Sequence, residues 1–187
     1  MKRSSVLLSG MVLLLWAAVS WADAYSDTTT LFRQSEQSRS FFSNSYGYAV
    51  FPTIGKGGLV VGAAHGNGRV YVHGKYVGDT SMTQLSVGAQ LGGEAYSQII
   101  FFQDKAAFDT FTQGNFEFGA GAGAVAITAA AGANVGTKGV SGNASVTKDN
   151  AKTAASYYKG MAVFTIVKGG AMYHATVAGQ KFTYTPK

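Results

Sequence analysis

The sequence predicts a mainly β (α+β) chain: an antiparallel β-barrel-like or sandwich domain with an N-terminal helix and one or two short packing helices. Three observations carry this reading. From Tyr46 to Gly93, short β-type runs are cut at regular intervals by glycine. Ile99-Ile100-Phe101-Phe102 is apolar on both faces, as a covered central strand requires. Glycine-containing turns at Gly74-Lys75, Gly169-Gly170 and Gly179-Gln180 join further alternating runs. Short strands at such spacing, about nine to eleven with two helices, mean a sandwich or barrel.

The chain opens Met1-Lys2-Arg3, continues through an apolar segment from Val6 to Val19, and reaches Ala22-Asp23-Ala24. A basic start, a short apolar stretch and an Ala-x-Ala end describe a secretory signal peptide over 1–24. The apolar stretch is shorter than the roughly 20 residues that span a bilayer. Residues 25–187 are then expected to form a single domain, able to bury about two-thirds of its surface. Without Lys2, Arg3 and Asp23 the formal charge falls from +6 to +5. A cationic exported surface attracts polyanions, of which anionic lipid and polysaccharide are the usual ones. The charges are scattered, so no nucleic-acid partner is expected. With no cysteine, disulfides, thiolate metal sites and acylation of a cysteine are excluded.

The elements follow in order. Asp27 to Asn44 contains no Gly or Pro and reads as one helix, capped by Ser26 or Asp27, with Leu31 and Phe42 on a shared face. That helix docks its apolar ends on the sheet or contacts a membrane. Tyr46 to Phe51 alternates, Tyr48 and Val50 against Ala49 and Phe51, and Pro52 ends the strand or marks an edge. Gly55, Gly57 and Gly58 are expected to form a turn around Lys56. Leu59 to Ala64 and Arg69 to His73 read as two further strands, and Met82 to Gln90 alternates as another. Asp104 should cap a helix in which Ala107, Phe108 and Phe111 share a face. Phe116 to Asn134 places glycines on one parity and alanines on the other, the pattern of a strand whose glycine face is crossed closely. Thr137 to Asp149 reads as an exposed loop or hairpin, whereas Ala151 to Lys159 fits a helical turn or a strand equally. Met161 to Lys168, Ala171 to Ala178 and Lys181 to Thr185 complete the strands.

The run Gly47-Tyr48-Ala49-Val50-Phe51-Pro52, then Gly55-Lys56-Gly57-Gly58, Gly66, Gly68, Val70-Tyr71 and Gly88-Ala89-Gln90-Leu91-Gly92-Gly93 resembles the SYLF domain family. The resemblance extends from about Leu31 to the C-terminus. It implies a lipid-binding module rather than an enzyme. Eukaryotic members bind phosphoinositides and actin, and bacterial members are small envelope proteins.

The chemistry-bearing residues agree with binding. His65, His73 and His174 lack the spacing and partners of a metal site and are expected at strand ends or turns. Neither a phosphate-cradling Gly-x4-Gly-Lys loop nor a Gly-x-Ser-x-Gly elbow is present. Glu94 and Glu117 are the acids placed within apolar strands, short of a general acid/base pair. The expectation is no enzymatic activity, no cofactor and no metal. Lys56, Arg69, Lys75, Lys168 and Lys181 fall beside glycine-containing turns; gathered on one side they would form a basic rim for lipid headgroups. Phe41 and Phe42 are the candidate apolar contacts. The function expected is an exported lipid-binding module, periplasmic or secreted, associated peripherally with anionic phospholipid or phosphatidylinositol-type headgroups. The alternative is a structural or assembly protein of the cell envelope acting through protein–protein contacts.

Overall fold

The structure, a computed structural model, describes residues 24–58, 61–87, 93–120, 122–127, 157–170 and 177–187. The expected signal peptide up to residue 23, the loop 137–149, His174 and most of the expected strand 171–178 lie outside these residues. Among the described residues there are eight strands: β1 (Gly47–Gly58), β2 (Val61–Val72), β3 (Lys75–Val87), β4 (Gly93–Phe102), β5 (Phe116–Glu117), β6 (Val125–Ile127), β7 (Met161–Gly170) and β8 (Gln180–Pro186). They form one sheet in the order β5-β8-β3-β2-β1-β4-β7-β6. Pairing is antiparallel except between β6 and β7. The protein is mainly β, with helices α1 (24–34), α2 (Phe41–Asn44) and α3 (Lys105–Thr112).

The sheet is curled into a half-barrel. From β4 to β8 is four strand steps, about 19 Å if the sheet were flat. Yet Gln98 Nε2 on β4 donates to Gln180 Oε1 on β8 at 2.9 Å. Only curvature brings the two walls together. Phe51 on β1 likewise meets Phe182 on β8, with ring centroids 5.7 Å apart.

Strand parity then sorts the side chains. Ala49, Phe51, Val70, Met82, Ile100 and Phe102 face inward and pack with Phe111 of α3. Tyr48, Val50, Ile99, Phe101 and Phe164 face outward beneath Tyr25, Phe32, Phe41 and Phe42. The expected alternation of Tyr48 and Val50 against Ala49 and Phe51 therefore holds. The covered central strand does too: Tyr96 to Phe102 of β4 are all buried, between β1 and β7. Asp104 caps α3 as expected, accepting from the Ala107 backbone N–H at 2.9 Å.

Several expectations are corrected. Pro52 neither ends a strand nor marks an edge; it lies within β1, a central strand. The ladders to β2 and β4 both shift register there, so a bulge absorbs the missing N–H. Ser97 Oγ donates to the Pro52 carbonyl at 2.6 Å and satisfies the acceptor of the following peptide. The two strands expected around Gly66 and Gly68 are one strand, β2. These glycines permit close approach instead of turning the chain: a Cβ on Gly68 would stand 2.6 Å from the Phe51 ring. Merging such runs lowers the number of strands among the described residues.

The N-terminal segment is two helices, not one. α1 is already helical at residue 24, so Ser26 and Asp27 lie inside it. It stops at 34, where Ser38 Oγ takes the Phe32 carbonyl at 2.6 Å, a side-chain competitor for the backbone. Tyr25, Thr28 and Phe32 form its buried stripe, while Leu31 is 49% exposed. The expected strand 116–134 lies partly outside the described residues; within them it is two strands, β5 and β6. Ala122 and Ala124 are the packed parity, and nothing approaches a Cβ at Gly119 or Gly123.

Candidate functional site

The curled sheet has two rims, and the five expected cations divide between them. Following the ladders from Gly58, one rim carries Lys56, opposite Ala64 and Glu94, Lys181, opposite Thr83, and Lys168 beside Ala95 and Tyr96. Lys75 opens β3 at the opposite rim, and Arg69, opposite Asp79, lies nearer that end. The structure does not gather all five. Lys56 is also not in a turn: β1 runs on to Gly58, and its half-buried side chain follows the inward parity of Ile54.

Arg69 is committed elsewhere. Its guanidinium lies over the Tyr25 ring at 4.4 Å and the Tyr76 ring at 5.2 Å, with Asp79 at 3.8 Å. This stack fastens the start of α1 to β2 and β3. Burial raises the Tyr25 hydroxyl pKa against the opposing pull of Arg69, and burial does the same to Tyr48 under α1. Phe41 and Phe42 are half-buried in an aromatic cluster: Phe41 meets Phe164 at 5.0 Å, and Phe42 meets Phe101 at 4.8 Å. Arg33 covers Phe42 from above at 4.2 Å.

On the Gly58 rim the lysines are exposed except for Lys56. Lys181 Nζ stands 3.5 Å from Glu117, an exposed pair of little energetic weight. Lys168 Nζ donates to Thr53 Oγ1 at 3.1 Å and forms no ion pair with a described residue. Beside Thr53 the outer face is hollowed into a pocket of about 440 Å³, lined by residues that include Tyr25, Pro52, Thr53, Gly55, His65 and Asn67. The hollow is a product of the bulge at Pro52 and the glycines around it. On the same rim Leu85 of β3 is 77% exposed.

Sequence reasoning missed Thr53, Asn67, Leu85 and the pocket, because the bulge that creates it is set by register. His65, expected at a strand end or turn, lies inside β2; His73 does occupy the β2–β3 turn, with φ 48°. The interior pair of Gln98 and Gln180 was also missed, although a fully apolar strand interrupted by Gln98 was a readable signal. Gln180 Nε2 donates back to Gln98 Oε1 at 3.1 Å and to the Tyr96 hydroxyl at 3.3 Å. Among the described residues no group of three His, Asp or Glu side chains could hold a metal ion.

A curled sheet covered by helices, with three lysines on one rim and an outer pocket of mixed lining, defines a β-rich α+β domain. The chain belongs to the Ysc84 (SYLF) family, which is often described as lipid-binding: the family model described as "Las17-binding protein actin regulator" matches residues 83–184. It is also similar to Beta cell expansion factor A of Aeromonas veronii, 31% identical over 154 residues. That alignment covers 81% of this chain and 51% of the relative, so the chain spans about half the length of the curated protein it matches.

Proposed function

We propose that the chain is an exported, non-enzymatic lipid-binding module that associates peripherally with anionic membrane lipid, in the periplasm or after secretion. The observation that carries the proposal is the Gly58 rim. It sets Leu85, 77% exposed, on the same sheet end as Lys56, Lys168 and Lys181. An exposed apolar side chain among lysines suits an interface where acyl chain meets anionic headgroup. The formal charge of +6, or +5 without the expected signal peptide, suits an anionic surface, and the family is often described as lipid-binding.

Co-sedimentation with vesicles tests the reading. Binding should rise with the fraction of phosphatidylglycerol in phosphatidylcholine vesicles and fall as salt screens the rim. Leu85→Ser should weaken it with no loss of folding. Binding that ignores both lipid charge and salt would refute the proposal and favour contact with a protein partner.

A further inference from the structure

Resting on that reading, we propose that the outer-face pocket beside Thr53, His65 and Asn67 is the place where the phosphate ester of a lipid headgroup is held. Thr53 Oγ1 accepts from Lys168 Nζ at 3.1 Å, which leaves the Thr53 hydroxyl proton free to point into the pocket. A ligand oxygen there would meet that hydroxyl with the ammonium directly behind it, a charge-assisted arrangement that suits an anion. Asn67 adds an amide and His65 an imidazole on the neighbouring strand, both exposed on the same parity of β2.

Two cations flank the site. Lys168 bounds it toward β7, and on the other side the Tyr25 ring carries the Arg69 guanidinium 4.4 Å above it. Among the described residues no carboxylate lines the pocket, and Asp79 lies 3.8 Å from Arg69. The remaining described walls are Ala24, the Tyr25 ring, Pro52 and glycine backbone, which favour an ester with an apolar tail over a bare, fully hydrated ion. A volume of about 440 Å³ accommodates a glycerophosphate headgroup. Thr53 and Gly55 of the pocket lie on β1 before Lys56 and the Gly58 rim, so a lipid held there needs only a short reach to the surface that Leu85 and the lysines address.

Gly55 provides the decisive variant. It lines the pocket, and nothing stands within 4 Å of a Cβ built on it. Gly55→Phe therefore fills the pocket while leaving every charge in place. The probes are dihexanoyl phosphatidylglycerol, glycerol 3-phosphate and inorganic phosphate, titrated into the full chain and followed through the His65 ring and Asn67 side-chain amide resonances. Saturable shifts are expected with the short-chain lipid, weaker ones with glycerol 3-phosphate, and the weakest with inorganic phosphate. Gly55→Phe should abolish them with an unchanged circular dichroism spectrum. Should Gly55→Phe fold poorly, Thr53→Val removes the hydroxyl alone and should reduce lipid affinity, whereas Lys75→Gln at the opposite rim should not. Lys168→Gln should cost about fivefold.

Shifts that persist undiminished in Gly55→Phe or Thr53→Val would overturn the site. Inorganic phosphate binding as tightly as the lipid would overturn the lipid assignment. The two readings separate cleanly: vesicle binding retained in Gly55→Phe leaves peripheral docking standing and removes the pocket from it. Lipid-induced shifts in a chain that never sediments with vesicles do the reverse.

Discussion

Exchanging Lys56, Lys168 and Lys181 together for Gln tests whether the Gly58 rim is a docking surface or part of a diffuse positive charge. A cation near an anionic leaflet contributes about 1 kcal/mol. The three do not contribute equally. Lys168 has only the Thr53 hydroxyl as described partner, so its charge is fully available. Lys181 shares its field with Glu117 at 3.5 Å, and removing it also leaves that carboxylate facing the membrane. Lys56 is half-buried on the inward parity and opposite Glu94, which makes its share the smallest. The expected loss is about 2–3 kcal/mol, roughly thirty- to hundred-and-fifty-fold in vesicle affinity. The control triple Lys75, Lys159 and Lys187 removes the same charge from the opposite rim, where β3 begins and β7 and β8 meet the ends of β4 and β3. Partition is measured by vesicle sedimentation over a salt series, with folding monitored by circular dichroism. Equal losses from the two triples would refute the argument, because then only total charge governs binding.

Other outcomes follow from the fold. Ser97→Ala leaves the buried Pro52 carbonyl without its 2.6 Å partner and should cost about 1–3 kcal/mol in a urea titration. Gly68→Val forces a side chain against the Phe51 ring and Thr80, and overpacking of about 1–3 kcal/mol or more should lower the midpoint. Gln98→Leu strands the Gln180 amide inside the half-barrel and should destabilise by about 1–3 kcal/mol, whereas Gln98→Leu with Gln180→Leu should recover part of the loss. In alkali, Tyr25 and Tyr48 have folded pKa values raised by burial. Their contribution is intact below the unfolded tyrosine value near about 10 and is lost as pH rises through the folded values, so the urea midpoint should fall above that pH.

Local pattern determined much of this protein. Alternation in Tyr48 to Phe51, the doubly apolar run of β4 and the Asp104 cap depend on neighbours within a few residues, and each is present as the residues imply. Family membership was legible for the same reason, since glycines and aromatics at fixed spacing survive without knowledge of pairing. Register and curvature were decided by tertiary structure. Whether Pro52 stops a strand or sits in a bulge depends on Ser97, 45 residues away, taking its carbonyl. Whether Gly66 and Gly68 turn the chain depends on Ile54 and the Phe51 ring lying across them. The rim divided for the same reason: lysines beside glycines look equivalent along the chain, but antiparallel register sends successive turns to opposite ends of the sheet. The pocket beside Thr53 belongs wholly to this second level. It exists because a bulge on β1, glycines on β1 and β2 and the first turn of α1 leave space where regular pleating would have closed it.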